Sequence, residues 1–493
     1  MNKPAVATSA AVVALGALVA WSFWLRWDVL TSSPFPLGID GYYYPVQVRG
    51  LLAHGHLVHP ASPLAFWWMA PFALATDPIA GAKLGAALGG ALVALPAYGV
   101  GARLGGGRGA GFVAAALATC SATSTYLSIE FAKQGIGLTL AVAAVWALLR
   151  ALEQPSRRRI AVAAGFALAT LLAHKLAGAL VVIVAVPAVI EEARGRGALR
   201  GRRLVYTLGA IVAALGALAV LGLVFPERLA SPADLALARG LVTTDLRWDA
   251  PVLAGPSLVL GHEPLWAGVV ALAAATVLLV QRAERPSGAR VVAWIAIALG
   301  VVLALPVIDA TDPQGLAMRL RVAAFVPLAL CGAIFIGVAR RWWWIGAIVA
   351  LALVVVLAQH DRREGRVLAH PALVAASAAL ADHVPADAVV VASERHVAFM
   401  IEWYADAAIT LHPESVPYAR RVRVLLPLSP ASAGFPLGRA LAAARRDPVI
   451  DPPIDLHPGL RDGFVLVTEP TWEWILTQLP PRSRRHWEAW PTI

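Results

Sequence analysis

Five places in this 493-residue chain set titratable side chains against apolar surroundings. Asp40 opens "GIDGYYYPVQVRGLLAHGHLVHP", followed by Tyr42, Tyr43 and Tyr44 and by His54, His56 and His59. Glu130 and Lys133 stand in "SIEFAKQG", and His174 and Lys175 in "LLAHKLAG". His262 and Glu263 form "GHEP", and Arg319 and Arg321 open "MRLRVAAFVPLAL". A carboxylate facing water can take a proton from an attacking hydroxyl. Cations at the same depth can hold a phosphate, lysine as a point charge and arginine as a fork. Together they suit transfer of a group from a lipid phosphate to a hydroxyl or amide. Phosphate leaves as a stable anion, so one carboxylate and a cation clamp suffice, unlike the paired carboxylates of glycoside hydrolysis. Each residue alone also has an ordinary role. Glu130 and Lys133 can solvate a tight turn, and the tyrosines can belong to an interfacial aromatic belt.

The elements that must position these residues lie in a membrane. The chain is 59% hydrophobic and 14% charged, against about 25% charged in soluble domains. Spans of about 20 apolar residues are read near 5–25, 78–102, 109–127, 136–150, 160–174, 176–190, 204–224, 264–281, 290–308, 318–339 and 343–359. That makes an α-helical polytopic membrane protein of about eleven spans. The first span is read as uncleaved rather than as a signal peptide.

The net charge of +11 points away from nucleic acid, because the arginines cluster in short gaps between spans. With the N-terminus in the cytoplasm, every inner loop is basic: Arg103 and Arg108; Arg150 and Arg157 to Arg159; Arg194 to Arg203; Arg282 to Arg290; Arg340 and Arg341. That is the positive-inside pattern. Residues 31–77, 128–135, 225–263 and 309–317 then face outward in a cell or inner membrane, with everything after about 360. All five polar places fall on that face. The spans themselves carry few charges, which argues against an ion or proton path through the bundle. Cys120 and Cys331 lie inside apolar runs, where a structural disulfide is not expected.

Two further elements follow. "AFWWMAPFALATDP", too short to span, reads as a helix in the interface. After residue 360, "ADAVVVAS", "RVRVLLPL" and "GFVLVT" read as buried strands, with helices around 371–383, 395–405 and 434–446. The organisation expected is a transmembrane domain over 1–360, with a first outer loop at 31–77, and a soluble extracytoplasmic α/β domain over 361–493.

The stretch "IDGYYYPVQVRGLLAHGHLVHPASPL" resembles the first outer loop of GT-C membrane glycosyltransferases. That superfamily includes protein O-mannosyltransferases, lipid A aminoarabinose transferases and the oligosaccharyltransferase catalytic subunit. The likeness rests on Asp40, Tyr42 to Tyr44, Gly55 and Pro63-Leu64, on Lys175 in "ALATLLAHKLAGALVVIVAVP", and on Arg319 or Arg321 in "MRLRVAAFVPLALCGA". It departs from the family where Gly41 follows Asp40 and where Ser62 precedes Pro63-Leu64.

The resemblance implies a glycosyltransferase that inverts the anomeric centre, taking a hexose or pentose from a polyprenyl-phosphate donor. The acceptor would be a lipid, glycan or protein at the outer face. Asp40 would be the catalytic carboxylate and Glu130 a second acidic site residue. Lys175, Arg319 or Arg321, and Lys133 would hold the donor phosphate, and Tyr42, Tyr43 and Tyr44 would line the substrate. It leaves room for a divalent metal ion, with His59 and His262, or His54 and His56, as ligands. Two other functions stay open at this stage: a transporter or flippase of lipid-linked saccharides, and a non-catalytic assembly factor with the same fold.

Overall fold

The computed structural model describes residues 3–195, 262–280, 287–305, 316–338 and 395–410, with short segments at 369, 371–379, 381, 389–392, 422–427 and 464–467. The chain divides into two compact units, Met1–Ser32 with His54–Gly365, and Ser33–Ala53 with Arg366–Ile493.

The first unit is a helical bundle. Its helices are α1 (Lys3–Leu30), α3 (Leu64–Ala75), α4 (Pro78–Ala91), α5 (Ala94–Leu104), α6 (Arg108–Cys120), α7 (Ala122–Glu130), α8 (Ala132–Glu153), α9 (Arg157–Ala173), α10 (Lys175–Gly195), α11 (Glu263–Val280), α12 (Ser287–Ala304), α13 (Leu316–Arg321) and α14 (Phe325–Val338). Among the described residues, seven helices are long and apolar enough to cross a membrane, and α6 with α7 makes an eighth span if their 43° bend is counted as one crossing. These are the positions read from the sequence. The expected spans 204–224 and 343–359 lie outside the described residues. The 17-residue α9 covers the expected span 160–174 up to Ala173, and α3 is the short apolar helix expected after the first loop.

Local chemistry sets the helix starts. The Asp77 carboxylate accepts from the Ile79 and Ala80 amides at 2.8 and 3.0 Å, and Pro78 takes the first turn of α4, where no amide is needed. Ser156 caps α9 in the same way. Glu192, near the end of α10, accepts from the Ser287 hydroxyl and the Gly288 amide at 2.8 and 3.0 Å. It thereby satisfies the first turn of α12.

Lipid removes most hydrophobic drive between helices, so close contact depends on small residues. The buried interior is accordingly rich in alanine and glycine. The tightest approach joins α14 to the end of α5, where a Cβ on Gly337 would overlap the Gly105 carbonyl.

The second unit holds α2 (Tyr43–His54), which ends at Gly55 with φ +74°, the left-handed helix stop that glycine permits. It also holds α15 (Pro371–Ala379), α16 (Arg395–Ala405) and a four-stranded sheet of β1 (Val389–Ala392), β2 (Ala408–Thr410), β3 (Val422–Pro427) and β4 (Phe464–Val467). The sheet order is β2-β1-β3-β4, with β1 parallel to β2 and β3, and β4 antiparallel to β3. The three strands read from the sequence are β1, β3 and β4. The three-residue β2 was not foreseen, and the helix expected at 434–446 lies outside the described residues.

Candidate active site

In the bundle, three cations converge on one histidine. α8 contributes Lys133 and α10 contributes Lys175, each in its first turn, and α13 contributes Arg319. The Gln134 amide donates to the Arg319 carbonyl at 2.8 Å and fixes α13 against the start of α8. His174 occupies the turn between α9 and α10. Its amide donates to the Thr170 carbonyl and its carbonyl accepts from Gly178. Its Cβ packs where only the bare Gly137 backbone leaves space. Burial first, then the positive charges of Lys133, Arg319 and Lys175, push its pKa down to about 3. The imidazole is therefore neutral, and its buried Nδ1 has no hydrogen-bond partner among the described residues.

Between α8, α10, α12 and α14 lies a wholly apolar cleft of about 70 Å³, lined by Leu138, Val142, Val145, Val181, Leu320 and Leu330 among others. Leu138 follows Lys133 by five positions on α8, and Leu320 follows Arg319 directly on α13. Val145 and Val181 also line a second, larger space of about 470 Å³ that continues between α8, α9 and α10 toward Leu152 and Glu192. The two spaces thus adjoin along α8 and α10 at Val145 and Val181.

Other buried charges sit near the same end of the bundle. Arg26 is fully buried and donates to the Ser22 carbonyl and hydroxyl, to the Thr119 carbonyl at 3.0 Å, and to the hydroxyls of Ser124 and Ser128 at 2.7 and 3.2 Å. Glu263, also buried, accepts from the Ser121 hydroxyl and from the Thr123 amide and hydroxyl at 2.9 and 2.8 Å, where α6 breaks into α7. Lys83, Glu130 and Arg321 are buried too. The spans carry few charges, as expected, but those at their ends are buried rather than solvated. Composition averages over the chain, whereas these charges concentrate within a few turns of one end. Arg26 was missed because an arginine at the end of an apolar run reads as an ordinary flank.

In the second unit, Asp40 pairs with Arg395 of α16 at 2.9 Å. The Arg395 guanidinium lies 5.8 Å from the Tyr43 ring centre and 5.6 Å from that of Phe399. The Tyr42 and Tyr404 hydroxyls are 3.0 Å apart. Burial raises the phenols of Tyr42 and Tyr43, that of Tyr43 to about 12. Tyr43 also accepts from Gln47 at 3.1 Å, and Tyr44 packs edge-on against Tyr43. Arg49 donates to the Trp403 and Glu402 carbonyls, each at 2.9 Å, and to Asp406 at 3.1 Å. The tyrosines are thus buried against α16 and its own unit. Sequence reasoning missed Arg395 and Arg49, because their partners are hundreds of residues away and no local spacing joins them.

The histidines considered as metal ligands lie at the surface. His54, His56 and His262 are exposed and His59 is half-exposed. Among the described residues no three His, Cys, Asp or Glu side chains come together as a metal would require. No step is assigned to a metal.

Residues 58–222 match the family described as dolichyl-phosphate-mannose-protein mannosyltransferase. No curated protein matches the chain in sequence. Solved structures do resemble it in fold. The Archaeoglobus fulgidus oligosaccharyltransferase, crystallised with zinc and sulfate, is 15% identical over 87% of this chain and 69% of its own, with a TM-score of 0.51. ArnT from Cupriavidus metallidurans in the apo state is 14% identical over 94% of this chain and 99% of its own, with a TM-score of 0.52. The same protein bound to undecaprenyl phosphate gives 15%, 93% and 98%, with a TM-score of 0.50.

Proposed function

We propose that this chain, an integral membrane protein with the GT-C fold, transfers a sugar from a polyprenyl-phosphate-linked donor to an acceptor at the outer face of the membrane. The observation that carries the reading is the pair of adjoining apolar spaces along α8 and α10, the two helices whose first turns carry Lys133 and Lys175, which act with Arg319 on His174. An isoprenoid chain fits such spaces, and its phosphate fits those cations. The match to a dolichyl-phosphate-mannose family and the likeness to a protein solved with undecaprenyl phosphate support the same ligand class.

In this reading the acceptor hydroxyl attacks the anomeric carbon as its proton passes to the Asp40 carboxylate. The bond from that carbon to the phosphate oxygen breaks, and the phosphate leaves with the electron pair. A single displacement inverts the centre. Lys175, Arg319 or Arg321, and Lys133 stabilise the charge that develops on the leaving phosphate. Glu130 is the second acidic residue, and Tyr42, Tyr43 and Tyr44 shape the substrate surroundings of Asp40. A flippase would need polar groups along the whole crossing. Among the described residues the buried charges gather instead at one end of the bundle.

The test is release of polyprenyl phosphate from a panel of polyprenyl-phosphate sugars by purified protein. Donor-dependent release that is lost in Lys175→Ala through weaker binding supports the reading. Absence of donor binding by the wild type overturns it.

A further inference from the structure

We propose that His174 is a direct hydrogen-bonding partner of the lipid phosphate, acting through Nδ1 of a neutral imidazole. The inference rests on the function proposed above and adds a residue that is not a cation to the phosphate site. A buried ring nitrogen with no partner is costly, and native proteins seldom leave one without a reason. Nδ1 of His174 is such an atom among the described residues, and the charges of Lys133, Arg319 and Lys175 all act on its ring.

The surroundings fix both the ring and its charge. The backbone of residue 174 is bonded at its amide and its carbonyl, and Gly137 lies against the Cβ. The charged groups that act on the ring are Lys133 from α8, Lys175 from α10 and Arg319 from α13. A fourth cation there would add repulsion among the other three. A neutral imidazole adds a directional N–H donor without that repulsion, and a phosphate oxygen among the three cations would accept from it. Packing alone would explain a buried ring, but it gives no use for the unpaired nitrogen.

The experiment uses the full chain in lipid nanodiscs and compares binding of undecaprenyl phosphate with that of undecaprenol, which has the same chain and no phosphate. His174→Ala should weaken undecaprenyl phosphate about tenfold and leave undecaprenol unchanged. His174→Asn sets an amide nitrogen near the place of Nδ1 and should stay within about twofold of wild type. His174→Gln, which reaches toward the other ring nitrogen, should behave like the alanine variant. Equal weakening in the asparagine and glutamine variants, at matched thermal stability, overturns the proposal, as does wild-type affinity in His174→Ala. Failure of the broader reading looks different: wild-type protein would not distinguish undecaprenyl phosphate from undecaprenol, and this inference would fall with it. Loss of that distinction in Lys175→Ala but not in His174→Ala would keep the cation site and reject the histidine.

Discussion

The carboxylate of Asp40 meets the guanidinium of Arg395 at 2.9 Å, and the same guanidinium lies over the rings of Tyr43 and Phe399. Three side chains thus orient one acid. A general base needs its oxygen held toward the proton it takes, and this arrangement limits how far the carboxylate can swing.

Asp40→Asn should lower turnover by more than about a hundredfold while leaving undecaprenyl phosphate affinity unchanged, since general-base catalysis contributes about 10²–10⁴. Arg395→Gln should lower kcat about tenfold by loosening that carboxylate. Single-turnover release of polyprenyl phosphate measures both. Wild-type kcat in Arg395→Gln would leave the ion pair a purely structural role.

Stability should fall in mild acid through His174. Its pKa is pushed down to about 3 in the folded protein, whereas an unfolded histidine titrates near 6.5. Below about pH 6.5 the unfolded chain therefore binds a proton that the folded chain refuses. Stability is then lost as pH drops from about 6.5 toward 3, by at most about 1.4 kcal/mol per unit, and is flat above. Thermal melts from pH 8 to 4.5 should show the slope in wild type and a shallower one in His174→Asn.

Glu263 closes the gap left where α6 breaks at Ser121. Glu263→Ala would strand the Thr123 amide and leave the Ser121 and Thr123 hydroxyls only each other and the Ser124 amide, at about 1–3 kcal/mol for each buried group left unsatisfied. Glu263→Gln keeps one acceptor oxygen and should lose less. Melting temperatures of the two variants in the same detergent order the effects.

Gly337→Ala should destabilise the bundle by about 1–3 kcal/mol, because the added methyl overlaps the Gly105 carbonyl. Gly165→Ala, at a position with open space around it, is the matched control and should melt like wild type.

Much of this was legible before any coordinates. Apolar runs with basic turns set out the spans, since lipid demands long, uninterrupted helices. Runs of β-branched residues gave away β1, β3 and β4. Lys133, Lys175 and Arg319 were singled out by being charged at helix ends, and the bundle gathers them around His174. The apolar cleft was not legible, because it depends on how α8, α10, α12 and α14 pack, which no periodicity specifies. Arg26 and the break at Ser121 were hidden for another reason. Serines and threonines that satisfy a buried guanidinium look no different in sequence from those that merely tolerate a helix.

The grouping of residues 33–53 with the C-terminal unit has a consequence for biosynthesis. Arg49 bonds to a carbonyl 353 positions later in the chain. At about 5–20 residues per second, the ribosome reaches Glu402 roughly 20–70 s after Arg49. Through that interval Tyr42, Tyr43 and Asp40 lack the partners that will bury and orient them. A truncated product would therefore hold a nearly complete bundle and an unshaped first loop. Such a fragment would be inserted but inert, and its bare aromatic surface is the kind that chaperones and proteases recognise.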